Sequence, residues 1–173
     1  SATFSLSPGS NNISVNDTIP LQLKIASLDQ GVTSIKVYLD FDPLLLSVSS
    51  IDTSGSVFAT TWWENMFDNT TGKIKLQAST FAPGFTGTGD IATITIKALK
   101  TGTTSITYAN SSLALMPDDT DIWNSSGSAV AAFTISSIPP PTPTISYATP
   151  YGTPSTGGGG GGSGEDKYYR SKL

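Results

Sequence analysis

The sequence predicts an all-β fold, an antiparallel sandwich or barrel, from three observations. Apolar and polar residues alternate in short segments, as they do in strands that have one buried face. Glycine, proline, asparagine and aspartate separate these segments, as expected for short strands joined by turns. No segment shows the helical repeat of apolar residues. These features favour an all-β domain over a parallel α/β sheet.

Two segments show the alternation most clearly. In residues 19–25 every second residue is leucine or isoleucine. In residues 31–43, Ile35 and Leu39 lie on the predicted buried side, and Tyr38 lies on the solvated side. Pro43 ends this strand because it has no N–H for the ladder. Six further strands are expected at 3–6, 45–51, 74–80, 91–99, 104–108 and 129–135. Residues 60–67 could form a strand or a helical turn, so the expected number of strands is eight or nine.

A change of composition after Ile138 divides the chain. Residues 1–138 contain every predicted strand and are long enough for one ordinary domain. Residues 139–164 are rich in proline and threonine and then in glycine, which predicts a disordered linker because neither composition can bury a core. Residues 165–173 form a short charged tail with two tyrosines, to which we assign no role.

The charge of residues 1–138 restricts the class of partner. They contain six lysines, no arginine and eleven acidic residues, a net charge near −5, which argues against binding to nucleic acid. The chain has no cysteine for disulfides and no apolar run long enough to span a membrane. Its composition, and a start at Ser1 without an initiator methionine, lead us to expect an exported protein, secreted or on the cell surface, that has lost a signal peptide.

Catalysis is disfavoured because the sequence has neither histidine nor cysteine, which removes the commonest general base and the thiolate nucleophile. Glu64 and Asp68 are the best remaining pair for a glycosidase-like acid and base. Their spacing gives no reason to place them across a cleft, and loop carboxylates in water explain them better. We therefore predict that the protein is not an enzyme.

Three aspartates form a candidate metal site, with calcium as the candidate cofactor. Asp118, Asp119 and Asp121 surround Thr120 in a predicted loop, and carboxylate oxygens on a flexible loop suit calcium. The spacing is not that of an EF-hand. A solvated turn is the alternative interpretation of the same residues.

Aromatic residues suggest a carbohydrate as an alternative ligand, since flat rings with polar rims suit stacking on sugars. The candidates are Trp62, Trp63 and Trp123, with Tyr38. If Trp62 and Trp63 lie in a strand, they point to opposite faces, so at most one belongs to the core. The other is a plug covered by a loop or a ligand contact. Only a coplanar exposed row would indicate a polysaccharide platform.

Two runs of sequence resemble cohesin modules. GVTSIKVYLDFDPLLLSVSSI, residues 31–51, is similar to their third and fourth strands, in which an alternating strand leads into a Y/F-D-P turn and an apolar strand. GDIATITIKAL, residues 89–99, is similar to a later strand that reads G-x-F-A-T-I-T-F-K-V. With the strand at 18–27, the resemblance extends over residues 2–138. It implies a jelly-roll β-sandwich of about nine strands, related in fold to family 2 and family 3 carbohydrate-binding modules.

The resemblance also implies a binding surface. In cellulosomal cohesins a flat sheet face receives a dockerin helix, and the matching strand contributes an Asn and an Asp where this chain carries Ser34 and Lys36. We expect an extracellular, non-catalytic protein-binding or scaffolding module whose partner is another exported protein, dockerin-like, with Tyr38 as the anchor. A carbohydrate-binding module and a structural surface stalk are the alternatives. The expected contact residues are Ser34, Lys36, Tyr38, Asp40, Lys75, Gln77 and Ser79.

Overall fold

The structure of the protein is a computed structural model that describes residues 1–138. These residues form strands and turns without a helix, so the described part offers no helix that could cross a membrane. The strands are β1 (Thr3–Ser7), β2 (Ser10–Ser14), β3 (Thr18–Ala26), β4 (Ser34–Asp40), β5 (Leu46–Asp52), β6 (Thr61–Asp68), β7 (Lys73–Ser79), β8 (Thr88–Ala98), β9 (Gly102–Tyr108), β10 (Leu113–Leu115) and β11 (Ala131–Ser136).

The strands form two sheets. The smaller sheet has the order β1-β3-β8-β5, and the larger has the order β2-β11-β9-β4-β7-β6, with β10 paired to the first half of β4. Neighbouring strands are antiparallel except β2 and β11, which run parallel. β4 has β7 along one edge and β9 and β10 along the other. It is therefore a central strand of the larger sheet.

One hydrophobic core fills the space between the sheets, and the alternation of the sequence explains it. Leu21 and Leu23 of β3 are fully buried, as are Ile35, Val37 and Leu39 of β4. Their polar neighbours in sequence point away from the core, because successive side chains of a strand alternate between its faces. The predicted all-β sandwich is confirmed.

The eight strands predicted with defined bounds are present, and the ambiguous residues 60–67 belong to a strand, β6. Two strands were not predicted, β2 and β10, so the number is eleven rather than about nine. β10 has only three residues, and β2 reads SNNIS, so neither shows a clear alternation. The predicted antiparallel arrangement holds for the neighbouring strands except β2 and β11, which run parallel. The predicted linker, 139–164, and tail, 165–173, lie outside the described residues.

Asn69, in the turn between β6 and β7, ties that turn to the edge of the smaller sheet. Its Oδ1 accepts the N–H of Val48 at 2.8 Å and its Nδ2 donates to the carbonyl of Val48 at 3.0 Å. Val48 is 3% exposed and lies where the register of β5 against β8 shifts. The side chain thus replaces a neighbouring strand for an edge residue that would otherwise lack one.

We expect Asn69→Ala to lower the free energy of unfolding by about 1–2 kcal/mol, because it leaves both backbone groups of Val48 without these partners. Chemical denaturation measures this loss. Asn110→Ala is the control, since Asn110 is exposed and makes no side-chain hydrogen bond to any residue of 1–138. Equal stability of Asn69→Ala and the wild type would show that the two bonds contribute nothing.

Candidate functional site

Three adjacent strands of the larger sheet build the candidate site on their outer side. The register pairs Lys36 with Gln77, Tyr38 with Lys75, and Asp40 with Lys73. β6 adds a third row along the edge of β7 that faces away from β4. We call this surface the β4–β7–β6 face. Its outward residues are Ser34, Lys36, Tyr38 and Asp40 of β4, Lys73, Lys75, Gln77 and Ser79 of β7, and Thr61, Glu64, Met66 and Asp68 of β6.

The seven residues predicted to contact a partner all lie on this face. The neighbouring position of the strands that carry Tyr38 and Lys75 was inferred from the resemblance alone, and the register now gives it directly. Their role in binding stays a prediction.

Tyr38 lies at the centre of the face and is held there by its backbone and its ring. Its N–H donates to Ser112 Oγ at 3.1 Å, and its carbonyl accepts from Ser112 Oγ at 3.1 Å and from the N–H of Ala109 at 2.8 Å. Lys36 Nζ lies 4.6 Å from the ring centroid and Lys75 Nζ lies 5.5 Å from it, both within cation–π range. The hydroxyl donates to Glu64 Oε2. The ring is therefore positioned before any partner arrives.

Burial, the hydrogen bond to the Glu64 carboxylate and the negative charge of that carboxylate together raise the pKa of the Tyr38 hydroxyl to about 12. The tyrosine is therefore a neutral hydrogen-bond donor at neutral pH. Since the folded state holds this proton more tightly, the interaction stabilises the fold below the ordinary tyrosine pKa of about 10 and is lost as the pH rises toward 12.

We expect Glu64→Gln to lower the pKa of Tyr38, because the amide removes the negative charge that opposes ionisation. Ultraviolet titration of tyrosinate, taken as the difference between each protein and its Tyr38→Phe version, isolates this residue from the other tyrosines. An unchanged Tyr38 pKa in Glu64→Gln would contradict the contact between the two side chains.

The sequence did not identify β6 as part of the site. Thr61 pairs with Ser79 and Glu64 pairs with Gln77, so four residues of β6 lie opposite three of β7 and the register shifts between Trp62 and Glu64. This bulge interrupts the alternation that identifies a strand. Beyond it, Met66 lies opposite Lys75 and is 53% exposed, which adds an apolar side chain to the face.

Two shallow depressions flank the lysines of β7. One, of about 240 Å³, lies between Tyr38, Asp40, Lys73, Lys75 and Ser111. The other, of about 190 Å³, is lined by Met66, Phe67, Asp68, Thr71, Lys73 and Lys75. Lys73 is held between them by its ion pair with Asp40 at 2.6 Å. The face is therefore flat and polar, with room for individual side chains of a partner.

Glu64 and Asp68 do not form a pair suited to glycoside hydrolysis. They lie on β6 rather than in a loop, four residues apart on one strand, which separates their Cα atoms by about 13 Å. The carboxyl groups of glycosidases lie about 5–10 Å apart. Each carboxylate also has a local partner, since Glu64 accepts from Tyr38, and Asp68 Oδ1 accepts the N–H of Thr70 at 2.7 Å.

The three tryptophans do not form a planar row. Trp62 packs against the core and Trp63 is 67% exposed, so the expectation that at most one of them belongs to the core is confirmed. Trp123 belongs to another cluster, with ring centroids 6.0 Å from Phe4 and 6.3 Å from Tyr108, and its Nε1 donates to Ser128 Oγ. Only Trp63 is left as an exposed ring among them.

Two of the three aspartates of the candidate calcium site have separate roles in their turn. Asp118 Oδ1 accepts the N–H of Thr120, and Asp121 Oδ1 accepts the N–H groups of Ala114 and Trp123. Within residues 1–138, no group of three or more acidic side chains is arranged to hold a metal ion. The carboxylates of Asp118 and Asp121 are thus engaged in the local turn.

We accordingly expect a chelator such as EDTA to leave the melting temperature of the protein unchanged. A fall of several degrees that added calcium reverses would show that a bound cation stabilises the fold. It would contradict the explanation of Asp118 and Asp121 by their hydrogen bonds within the turn.

Comparison with known proteins agrees with this architecture. The family model described as the cohesin domain matches residues 4–130, whereas no curated protein matches the chain. A type I cohesin–dockerin complex from Clostridium thermocellum is similar to it, with a TM-score of 0.66, 14% identity, and coverage of 79% of this chain and 94% of that one.

Two further solved structures are similar. A non-cellulosomal cohesin from the archaeon Archaeoglobus fulgidus has a TM-score of 0.62 and 18% identity over 78% of this chain and 91% of that one. The seventh ScaB type I cohesin from Pseudobacteroides cellulosolvens has a TM-score of 0.59 and 15% identity over 86% and 98%. With the family model matching more than half of its length, the chain belongs to the cohesin family of non-catalytic protein-binding modules.

Proposed function

We propose that this module acts outside the cell and binds a dockerin-like module of another exported protein on the β4–β7–β6 face. The observation that carries the proposal is Tyr38, an aromatic side chain fixed at the centre of a flat three-stranded surface. A rigid aromatic ring at the centre of a polar surface is the usual anchor of a protein interface.

The surroundings of Tyr38 support binding to a protein. The backbone of Tyr38 and the β6–β7 turn are fixed by hydrogen bonds before binding, so ordering this face costs little when a partner docks. Polar groups dominate it, and the apolar contributions come from the Tyr38 ring and Met66. This mixture is typical of non-obligate protein interfaces, which are about as polar as the rest of the surface.

Several of the similar structures are complexes in which a cohesin binds a dockerin, among them complexes from Clostridium thermocellum and Acetivibrio cellulolyticus. The cohesin from Archaeoglobus fulgidus is described as non-cellulosomal. The similarity to cohesins that bind dockerins supports a docking role for this chain. Since the cohesin from Archaeoglobus fulgidus is non-cellulosomal, the proposed docking role is not restricted to a cellulosome. Polysaccharide binding is less well supported, because Trp63 is the one exposed ring of the three tryptophan candidates.

The test is to immobilise the chain and measure binding of each dockerin-like module encoded by the same organism, with retention on microcrystalline cellulose measured in parallel. We expect saturable binding to at least one dockerin-like module and no retention on cellulose. Retention on cellulose without dockerin binding would replace the proposal with a carbohydrate-binding role. If the chain neither binds a dockerin-like module nor is retained on cellulose, a structural surface stalk becomes the favoured function.

A further inference from the structure

We infer that the docking segment of the partner is acidic where it meets Tyr38, and that Lys36 and Lys75 bind its carboxylate. The inference rests on the proposed function and specifies the chemistry of the partner. The observation behind it is that two lysines from adjacent strands converge on one aromatic ring at the centre of the β4–β7–β6 face.

The two lysines have no carboxylate partner within the part of the chain that the structure describes. The ion pairs found among residues 1–138 are Lys24 with Asp90 and Lys73 with Asp40. Lys36 and Lys75 instead lie above the Tyr38 ring, with their ammonium groups 4.6 Å and 5.5 Å from its centroid. Both charges therefore remain available to a partner at the position of the anchor.

The acidic groups of the same face are already engaged. Asp40 holds Lys73, and Asp68 Oδ1 accepts the N–H groups of Thr70 and Thr71 in its own turn. Glu64 accepts a hydrogen bond from the Tyr38 hydroxyl. It is the one carboxylate that contacts Tyr38 among the described residues. The charged groups in contact with Tyr38 are therefore two lysines and one carboxylate, so this cluster is positive, although the whole face has three charges of each sign and residues 1–138 carry a net charge near −5.

This local reversal of charge determines which partners fit. A carboxylate beside Tyr38 would gain two charge-assisted hydrogen bonds, whereas a lysine or arginine there would meet two ammonium groups at close range. The place for this carboxylate is beside the Tyr38 ring, within reach of both ammonium groups. The depression next to Lys75, which is also lined by Asp40, offers room for a neighbouring uncharged side chain. An acidic residue next to a small or apolar one that packs on the ring is therefore the expected feature of the partner.

A library of dockerin modules displayed on yeast tests this inference. The surface positions of the displayed module are randomised equally among Asp, Glu, Ser, Asn, Lys, Arg, Leu and Ala. Clones are selected on the wild-type chain and on Lys36→Glu/Lys75→Glu. We expect acidic residues to be enriched in clones selected on the wild type, and basic residues in clones selected on the double variant. Clones from the first selection should bind the double variant at least about tenfold more weakly.

Lys97→Glu/Lys100→Glu is the matched control, because it makes the same change of charge away from this face, on β8 and the residues that follow it. Its affinity for the first set of clones should stay within about twofold of the wild type. One contrary result is that clones selected on the wild-type chain depend on Tyr38 but show neither acidic enrichment nor weaker binding to the double variant. That result would overturn the inference and leave the proposed function in place. A library without any clone that depends on Tyr38 would overturn both.

Discussion

Replacement of Tyr38 by alanine is expected to weaken partner binding by at least about 30-fold, or 2 kcal/mol, the range of an interface hot spot. The change removes the ring over which Lys36 and Lys75 lie and the hydroxyl that binds Glu64. Both lysines then lose their fixed positions, so the loss includes more than the contact area of one ring. Titration calorimetry with a dockerin-like module from the same organism measures it.

Two controls separate binding from folding in this experiment. Tyr38→Phe keeps the ring and should retain most of the affinity, and Thr95→Ala, on the outer side of β8 in the smaller sheet, should retain all of it. The melting temperature of Tyr38→Ala should fall only modestly, because the variant loses the hydrogen bond to Glu64 and the lysine contacts but no core contact. Unchanged affinity in Tyr38→Ala would show that the anchor lies elsewhere.

Replacement of Gly72 by alanine is expected to destabilise the domain by about 3 kcal/mol, because two independent costs act at one position. Gly72 has a φ of +70°, which side-chain-bearing residues rarely adopt. An added Cβ would also lie 2.0 Å from the carbonyl oxygen of Phe41. The hydrogen bond from the N–H of Phe41 to the carbonyl of Gly72, at 2.9 Å, connects the end of β4 to the β6–β7 turn.

Chemical denaturation measures this loss, and the effect should extend to the site. With this connection strained, the β6–β7 turn shifts against the end of β4, so partner affinity should fall along with stability. Gly55→Ala is the matched control, since an added Cβ there meets no atom within 4 Å. Similar stability of the two variants would contradict the close approach of Gly72 to Phe41.

Strands with a regular alternation could be predicted from the sequence, and those without it could not. β3 and β4 bury every second side chain over a long run, which is a signal that local sequence carries by itself. β10 forms because Leu113–Leu115 pairs with β4. This is a tertiary contact, and a three-residue segment is too short to show a periodic pattern that predicts it. The parallel pairing of β2 with β11 likewise depends on how distant segments meet.

The candidate site divides in the same way. The outward residues of β4 and β7 follow from alternation once the two strands are taken as neighbours. Met66 and the position of Glu64 on this face were missed, because the bulge before Glu64 breaks the period of two and left residues 60–67 ambiguous. The grouping of Trp123 with Phe4 and Tyr108, rather than with Trp62 and Trp63, depends on long-range packing that residue spacing does not encode.

Chemical-shift mapping by nuclear magnetic resonance tests the central claim, that the β4–β7–β6 face is the docking surface. The amide and side-chain signals of the isotope-labelled chain are followed while an unlabelled dockerin-like module is added. The account predicts that the largest shifts fall on Lys36, Tyr38, Glu64, Lys75 and Gln77, with β1, β3, β5 and β8 little changed. Largest shifts on the outer side of the β1-β3-β8-β5 sheet, with Tyr38 unaffected, would contradict it.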